Sequence, residues 1–162
     1  MSGALRDTDF AAPTDDRYFE DYKPGASHEY GYETITEAEI LDFARTYDPQ
    51  PIHTDLAYAA NGPFDGLIAS GAHTIALMMR LYVTHYISHA ASLASPGLDE
   101  LRWPRPLRPG DTLWLRATVL DARRSQSKPD RGVIRTGIGL FNQHDDLVLT
   151  TTAVNFMSLR NP

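Results

Sequence analysis

An aspartate and a histidine stand five residues apart in the stretch Asp48-Pro49-Gln50-Pro51-Ile52-His53. Two prolines stiffen the segment, because proline fixes φ and pushes the preceding residue towards extended backbone. The spacing of the carboxylate and the imidazole is therefore held. Two such groups aimed at one point can hold a water molecule and deprotonate it. On its own the pattern is better read as a turn aspartate and a structural histidine. Its place, after one helix and ahead of another, favours the chemical reading.

Other residues that could do chemistry are scattered. Gly71 falls where a long helix should begin, and a helix N-terminus offers unpaired N–H groups and partial positive charge. Ser70, His73 and Thr74 flank it. His85 and His89 have the i, i+4 spacing of a metal pair. Tyr86 follows His85, so the glutamate of a His-Glu-x-x-His site is missing, and packing histidines are the better reading. No Gly-x-Ser-x-Gly elbow is present, and Ala72 after Gly71 excludes a phosphate loop there.

The elements that must position these groups follow from patterning. Residues 1–17 are polar and read as a flexible N-terminal tail, with a single domain over 18–162. Thr36 to Glu39 forms a capping box, and Ile40, Phe43, Ala44 and Tyr47 recur at helical spacing up to Asp48-Pro49. Asp55 should cap a short helix through Tyr58, stopped by Asn61-Gly62-Pro63. Ser70 should cap a helix reaching about His89. Its apolar residues cover nearly all faces, so burial on every side is expected. Ser95-Pro96-Gly97 should end that region. Strands are expected over 98–105, 112–122, 133–142 and 147–159, with turns at Arg108-Pro109-Gly110-Asp111 and at 144–146. Helices first and antiparallel strands after give an α+β fold, with a sheet curled around one long central helix. Exposed sheet edges would suit pairing between two copies.

Composition narrows the function. The 162 residues contain no cysteine, which excludes disulfides and thiolate chemistry. No stretch reads as a signal peptide or membrane span, so a cytoplasmic protein is the default. The net charge of −6 argues against a nucleic-acid partner. Nine of the fifteen basic residues nevertheless lie between Arg102 and Arg135. That asymmetry suits a small anionic ligand.

Three segments together carry a family resemblance: Asp48-Pro-Gln-Pro-Ile-His53, Gly66-Leu-Ile-Ala-Ser-Gly71 and Arg102-Trp-Pro-Arg-Pro-Leu-Arg-Pro-Gly-Asp111. The chain resembles the MaoC-like dehydratases, which include the (R)-specific enoyl-CoA hydratases, over about Tyr18 to Leu159. The resemblance implies a hot-dog fold and a homodimer or dimer of dimers. It also implies an acyl-CoA thioester ligand, hydration or dehydration chemistry, and no metal or redox cofactor. Coenzyme A would enter only as part of the substrate.

By this resemblance, Asp48 and His53 hold the water that adds to a trans-2-enoyl thioester. Asp48 is the general base, and His53 orients the water and shuttles its proton. Burial beneath an apolar acyl chain would raise the pKa of Asp48. The Gly71 N–H would stabilise the thioester oxygen, its glycine letting the carbonyl approach. Arg105, Arg108, Arg124, Lys128 and Arg131 are candidates for the coenzyme A phosphates. The chain departs from a typical hydratase in having Ser70 where histidine usually stands, and Ile75 and Ala76 where a hydroxyl residue is expected. A hot-dog thioesterase and a non-catalytic acyl-CoA-binding protein are the alternative readings.

Overall fold

The computed structural model describes residues 10–162. Five antiparallel strands form one sheet in the order β1-β3-β4-β5-β2. They are β1 Ser27–Thr34, β2 Ser92–Arg102, β3 Thr112–Arg124, β4 Arg131–Phe141 and β5 Leu147–Ser158. Four helices precede the last four strands: α1 Glu37–Tyr47, α2 Pro51–Thr54, α3 Leu56–Ala60 and α4 Gly71–His85. In β4 every second residue is buried, from Gly132 to Leu140, as a sheet with one covered face requires. The covering element is α4. Its Leu77, Met78, Leu81 and Tyr82 join Leu113, Leu115, Ile134, Ile138, Leu149 and Met157 in one core. The Tyr82 hydroxyl donates to Asn155 on β5 at 2.8 Å, and the Tyr86 hydroxyl bonds Thr136 on β4 at 2.9 Å. The sheet thus wraps the helix in the hot-dog manner.

The capping box closes as expected: Glu39 N–H donates to Thr36 Oγ1 at 3.2 Å, and Thr36 N–H to Glu39 Oε2 at 2.8 Å. Asp55 caps α3 through Tyr58 N–H at 2.9 Å. Four expectations need correction. Strand β1 has no counterpart in the sequence reading, because its inward residues are His28 and Tyr30 in place of aliphatic ones. Strand β2 begins at Ser92 and takes in Ser95-Pro96-Gly97. It lies at the sheet edge, where a proline can be tolerated, and its register against β5 shifts three times. Helix α4 ends at His85, four residues early, where Ser88 Oγ takes the N–H groups of Ala90 and Ala91 and turns the chain. Nor is α4 covered on all sides in the single chain: Met79 and Val83 are exposed.

The inner part of the expected tail is docked. Phe10 stacks on His28 at 4.1 Å, and the Arg17 guanidinium lies 3.6 Å over the Phe10 ring. Buried Arg17 also donates to the carbonyls of Tyr86 at 2.7 Å and His85 at 3.0 Å. A cation is favoured at that end of a helix. Residues 1–9 of the expected tail lie outside the described residues. Among the described residues no helix is long and apolar enough to cross a membrane.

Candidate active site

Helix α1 delivers Asp48 at its C-cap, where the Asp48 N–H donates to Ala44 O at 2.8 Å. Pro51 then opens α2, the first-turn position at which its missing N–H costs nothing. One turn of α2 is enough to direct the His53 side chain inward. The His53 ring is buried, with Nδ1 2.8 Å from the carbonyl oxygen of Ile68. A carbonyl only accepts, so Nδ1 carries a hydrogen, and a neutral ring then presents its lone pair at Nε2. That Nε2 lies 3.5 Å from Asp48 Oδ2. The pair singled out by spacing therefore converges.

Ser70 completes the group. Its hydroxyl donates to Asp48 Oδ2 at 2.6 Å, while its oxygen accepts from Ala72 N–H at 3.2 Å as the cap of α4. The fully buried serine thus ties the start of α4 to the end of α1. Gln50 Nε2 donates to the other carboxylate oxygen at 2.7 Å. The Ser70 bond, and then the Gln50 bond, hold the Asp48 carboxyl below the usual carboxylate range. The expected rise belongs to the site with an acyl chain lying over the carboxylate. The carboxylate is 26 % exposed, and hydrogen bonds to its charged form outweigh burial.

Gly71 is the first residue of α4, and its N–H has no acceptor among the described residues. The indole of Trp103 lies against it. A Cβ at position 71 would come within 2.9 Å of Trp103 Cε2 and Cζ2, and Trp103 Nε1 donates to Gly71 O at 3.2 Å. The sequence reading quoted Trp103 within a motif but gave it no role. Only the fold brings residue 103 onto residue 71. Gln50 likewise has no expected role, although an amide side chain two residues from a carboxylate is a local signal that could have flagged it.

The flanking candidates divide. Ser70 bonds Asp48. Thr74 Oγ1 turns back to the Ser70 carbonyl at 3.3 Å. His73 stacks on Phe43 at 4.3 Å, with burial lowering its pKa. His89 lies beyond the end of α4, with Nε2 2.7 Å from Val83 O, so the helical spacing to His85 does not exist.

The basic candidates also separate. Arg105 pairs with Asp146 at 3.4 Å, and Arg108 holds the Phe64 carbonyl at 2.6 Å. Both belong to the segment leading into β3, whose Leu107 O accepts from Ala69 N–H at 2.8 Å beside the site. Arg124, Lys128 and Arg131 cluster at the far end of β3. The strand has 13 residues, which at about 3.3 Å each spans about 40 Å. One chain does not bring the five together. Arg131 is further engaged by Asp130 through Nε at 2.8 Å, and Arg124 lies 3.9 Å from Glu20.

The family model described as MaoC like domain matches residues 22–137. The chain belongs to the MaoC-like domain family. A MaoC-like dehydratase from Rhodospirillum rubrum superposes with a TM-score of 0.83 at 36 % identity, over 90 % of this chain and 99 % of that one. The R-hydratase PhaJ1 from Pseudomonas aeruginosa superposes with a TM-score of 0.70 at 28 % identity, over 87 % and 84 %. The 3-hydroxyacyl-thioester dehydratase Z of Mycobacterium tuberculosis is 43 % identical over 79 residues, which are 48 % of this chain and 52 % of that protein. The match thus spans about half the length of that relative. An R-hydratase and a 3-hydroxyacyl-thioester dehydratase are therefore among the chain's relatives.

Proposed function

We propose that this protein reversibly hydrates a trans-2-enoyl thioester, or dehydrates the corresponding 3-hydroxyacyl-CoA. The observation that carries the reading is the 3.5 Å approach of two acceptors, Asp48 Oδ2 and His53 Nε2. Neither has a proton to give the other while Asp48 is ionised and His53 neutral. A water about 2.8 Å from each would sit at the apex and donate one hydrogen to each. Its lone pairs would then face outward, towards C3 of a bound enoyl group. As the C3–O bond forms, Asp48 accepts one of the water's two protons; that proton passes by way of His53 Nε2 to C2, the other stays on the new C3 hydroxyl, and both side chains return to their starting states. Negative charge builds on the thioester oxygen, which the Gly71 N–H at the start of α4 would meet.

The Ser70 and Gln50 bonds make Asp48 a weak base that stays ionised to low pH. The carboxylate is then always ready to accept, and the base strength it gives up is partly offset by fixed orientation. General acid–base help of this kind contributes about 10²–10⁴-fold. The scheme requires no cofactor besides the coenzyme A of the substrate. A homodimer in the cytoplasm is the setting we propose for it. Arg105 and Arg108, near the site, are the better candidates for the carrier's phosphates within one chain. Arg124, Lys128 and Arg131 could serve only a site at the other end of the sheet.

The test is loss of enoyl absorbance with crotonyl-CoA and longer enoyl-CoAs, alongside a free-thiol assay. Hydration consumes the double bond and releases no thiol; a thioesterase releases thiol, and a binding protein does neither. Asp48→Asn and His53→Ala should each lower turnover by at least 10²-fold while melting within a few degrees of the wild type. Near-normal turnover by either variant would refute the assignment.

A further inference from the structure

Trp103 is an exposed aromatic residue with a fixed seat. The residue is 47 % exposed, yet its indole N–H is bonded to Gly71 O and its Cε2 and Cζ2 lie 2.9 Å from where a Cβ on Gly71 would stand. The ring fills the side of residue 71 on which a Cβ would project. Helical Cβ atoms lean towards the helix N-terminus. The indole therefore stands beside the opening turn of α4, next to the serine that binds Asp48. A thioester carbonyl meeting the Gly71 N–H would have its first acyl carbons alongside this ring.

We propose that Trp103 is the specificity-determining wall for the acyl group, and that residue 71 is glycine in order to seat the indole. The proposal rests on the hydratase reading above. Atoms C1 to C3 of an enoyl thioester are sp² and coplanar with their substituents, so an unbranched enoyl group can turn its C2–H edge to the indole. A methyl branch at C2 would meet the same ring. The wall thus selects compact, planar 2-enoyl groups and rejects 2-branched ones. One methyl group in such a pocket is worth about 10- to 200-fold in kcat/KM. The sequence reading gave Gly71 a different purpose, to admit the thioester carbonyl. The two purposes predict opposite behaviour when Trp103 is removed.

The experiment compares crotonyl-CoA with its 2-methyl analogue, tigloyl-CoA, in wild type, Trp103→Phe, Trp103→Ala, Gly71→Ala and the Gly71→Ala/Trp103→Ala double variant. Trp103→Ala should raise the tigloyl-to-crotonyl ratio of kcat/KM at least 10-fold, with Trp103→Phe in between. Gly71→Ala should lower both the melting temperature and turnover, and adding Trp103→Ala should restore much of each. Such non-additivity is what two touching residues show. An unchanged ratio overturns the wall. Additive losses in the double variant overturn the seat. A readout independent of turnover is the fluorescence of Trp103 in a Trp114→Phe background, titrated with crotonyl-CoA. A saturable change without turnover would sink the hydratase reading and leave the wall standing. Turnover with neither a fluorescence change nor a ratio shift would sink the wall and leave the hydratase reading standing. No change and no turnover would sink both.

Discussion

Replacing Ser70 with alanine removes two bonds from one fully buried atom. One is the 2.6 Å donation to Asp48 Oδ2, the other the 3.2 Å acceptance from Ala72 N–H that caps α4. Loss of an N-cap costs about 1 kcal/mol. A hydrogen bond to a charged group is worth about 1.5–3 kcal/mol, and the lower end applies because Asp48 is partly open to water. The sum is about 2–3 kcal/mol. For a chain of this length, each kcal/mol moves the melting temperature by about 2–4 °C. Ser70→Ala should therefore melt about 5–10 °C below the wild type at neutral pH. Because Ser70 is the largest cause of the lowered Asp48 pKa, the alanine variant should carry Asp48 closer to the ordinary carboxylate range. A depressed carboxylate contributes stability above its unfolded pKa and loses it as pH falls through the lower folded value. The stability gap between variant and wild type should thus be widest at neutral pH and narrow in acid. The acidic limb of the hydration rate should move to higher pH. Ser70→Thr keeps both bonds and should restore the limb. Thermal melts from neutral to acid pH, with a pH–rate profile on crotonyl-CoA, read all of this. A melt within 1 °C of the wild type and an unmoved limb would refute the reasoning.

Other outcomes follow from packing. Arg17→Met leaves the Tyr86 and His85 carbonyls at the end of α4 without their charged donor. A loss of about 2–3 kcal/mol is expected, read as a fall in denaturant midpoint with turnover at 25 °C retained. Gly132→Ala would drive a Cβ into the Phe19 ring, which lies directly over that glycine. Overpacking of this kind costs about 1–3 kcal/mol, and Phe19→Leu in the same chain should relieve part of it in a calorimetric melt.

Local signals were readable in the sequence and distant ones were not. The Thr36–Glu39 box, the Asp55 cap and the helical end at Asp48-Pro49 each depend on neighbours within four residues. The sheet's central strands announce themselves by alternation, since one face is buried and the other is not. Edge strands lack that contrast. Strand β1 turns His28 and Tyr30 inward, and β2 carries a Pro-Gly that elsewhere would end a strand. The candidate site divides in the same way. Asp48 and His53 are set by a five-residue segment and do converge. The Ser70 bond crosses 22 residues and the Trp103 contact 32, and both depend on how α4 is laid into the sheet. The basic candidates fall into two groups because β3 separates the turn that carries Arg105 and Arg108 from the hairpin that carries Arg124, Lys128 and Arg131.

Helix α4 is clamped at both tips. Ser70 joins its first turn to Asp48, and Arg17 grips its last carbonyls from a segment far back in the chain. Fifteen residues at about 1.5 Å each make this a strut of about 22 Å. Sliding it along its axis by a single residue's rise would stretch bonds at both tips together. The 3.5 Å gap between Asp48 and His53 is therefore gauged partly from the opposite pole of the domain.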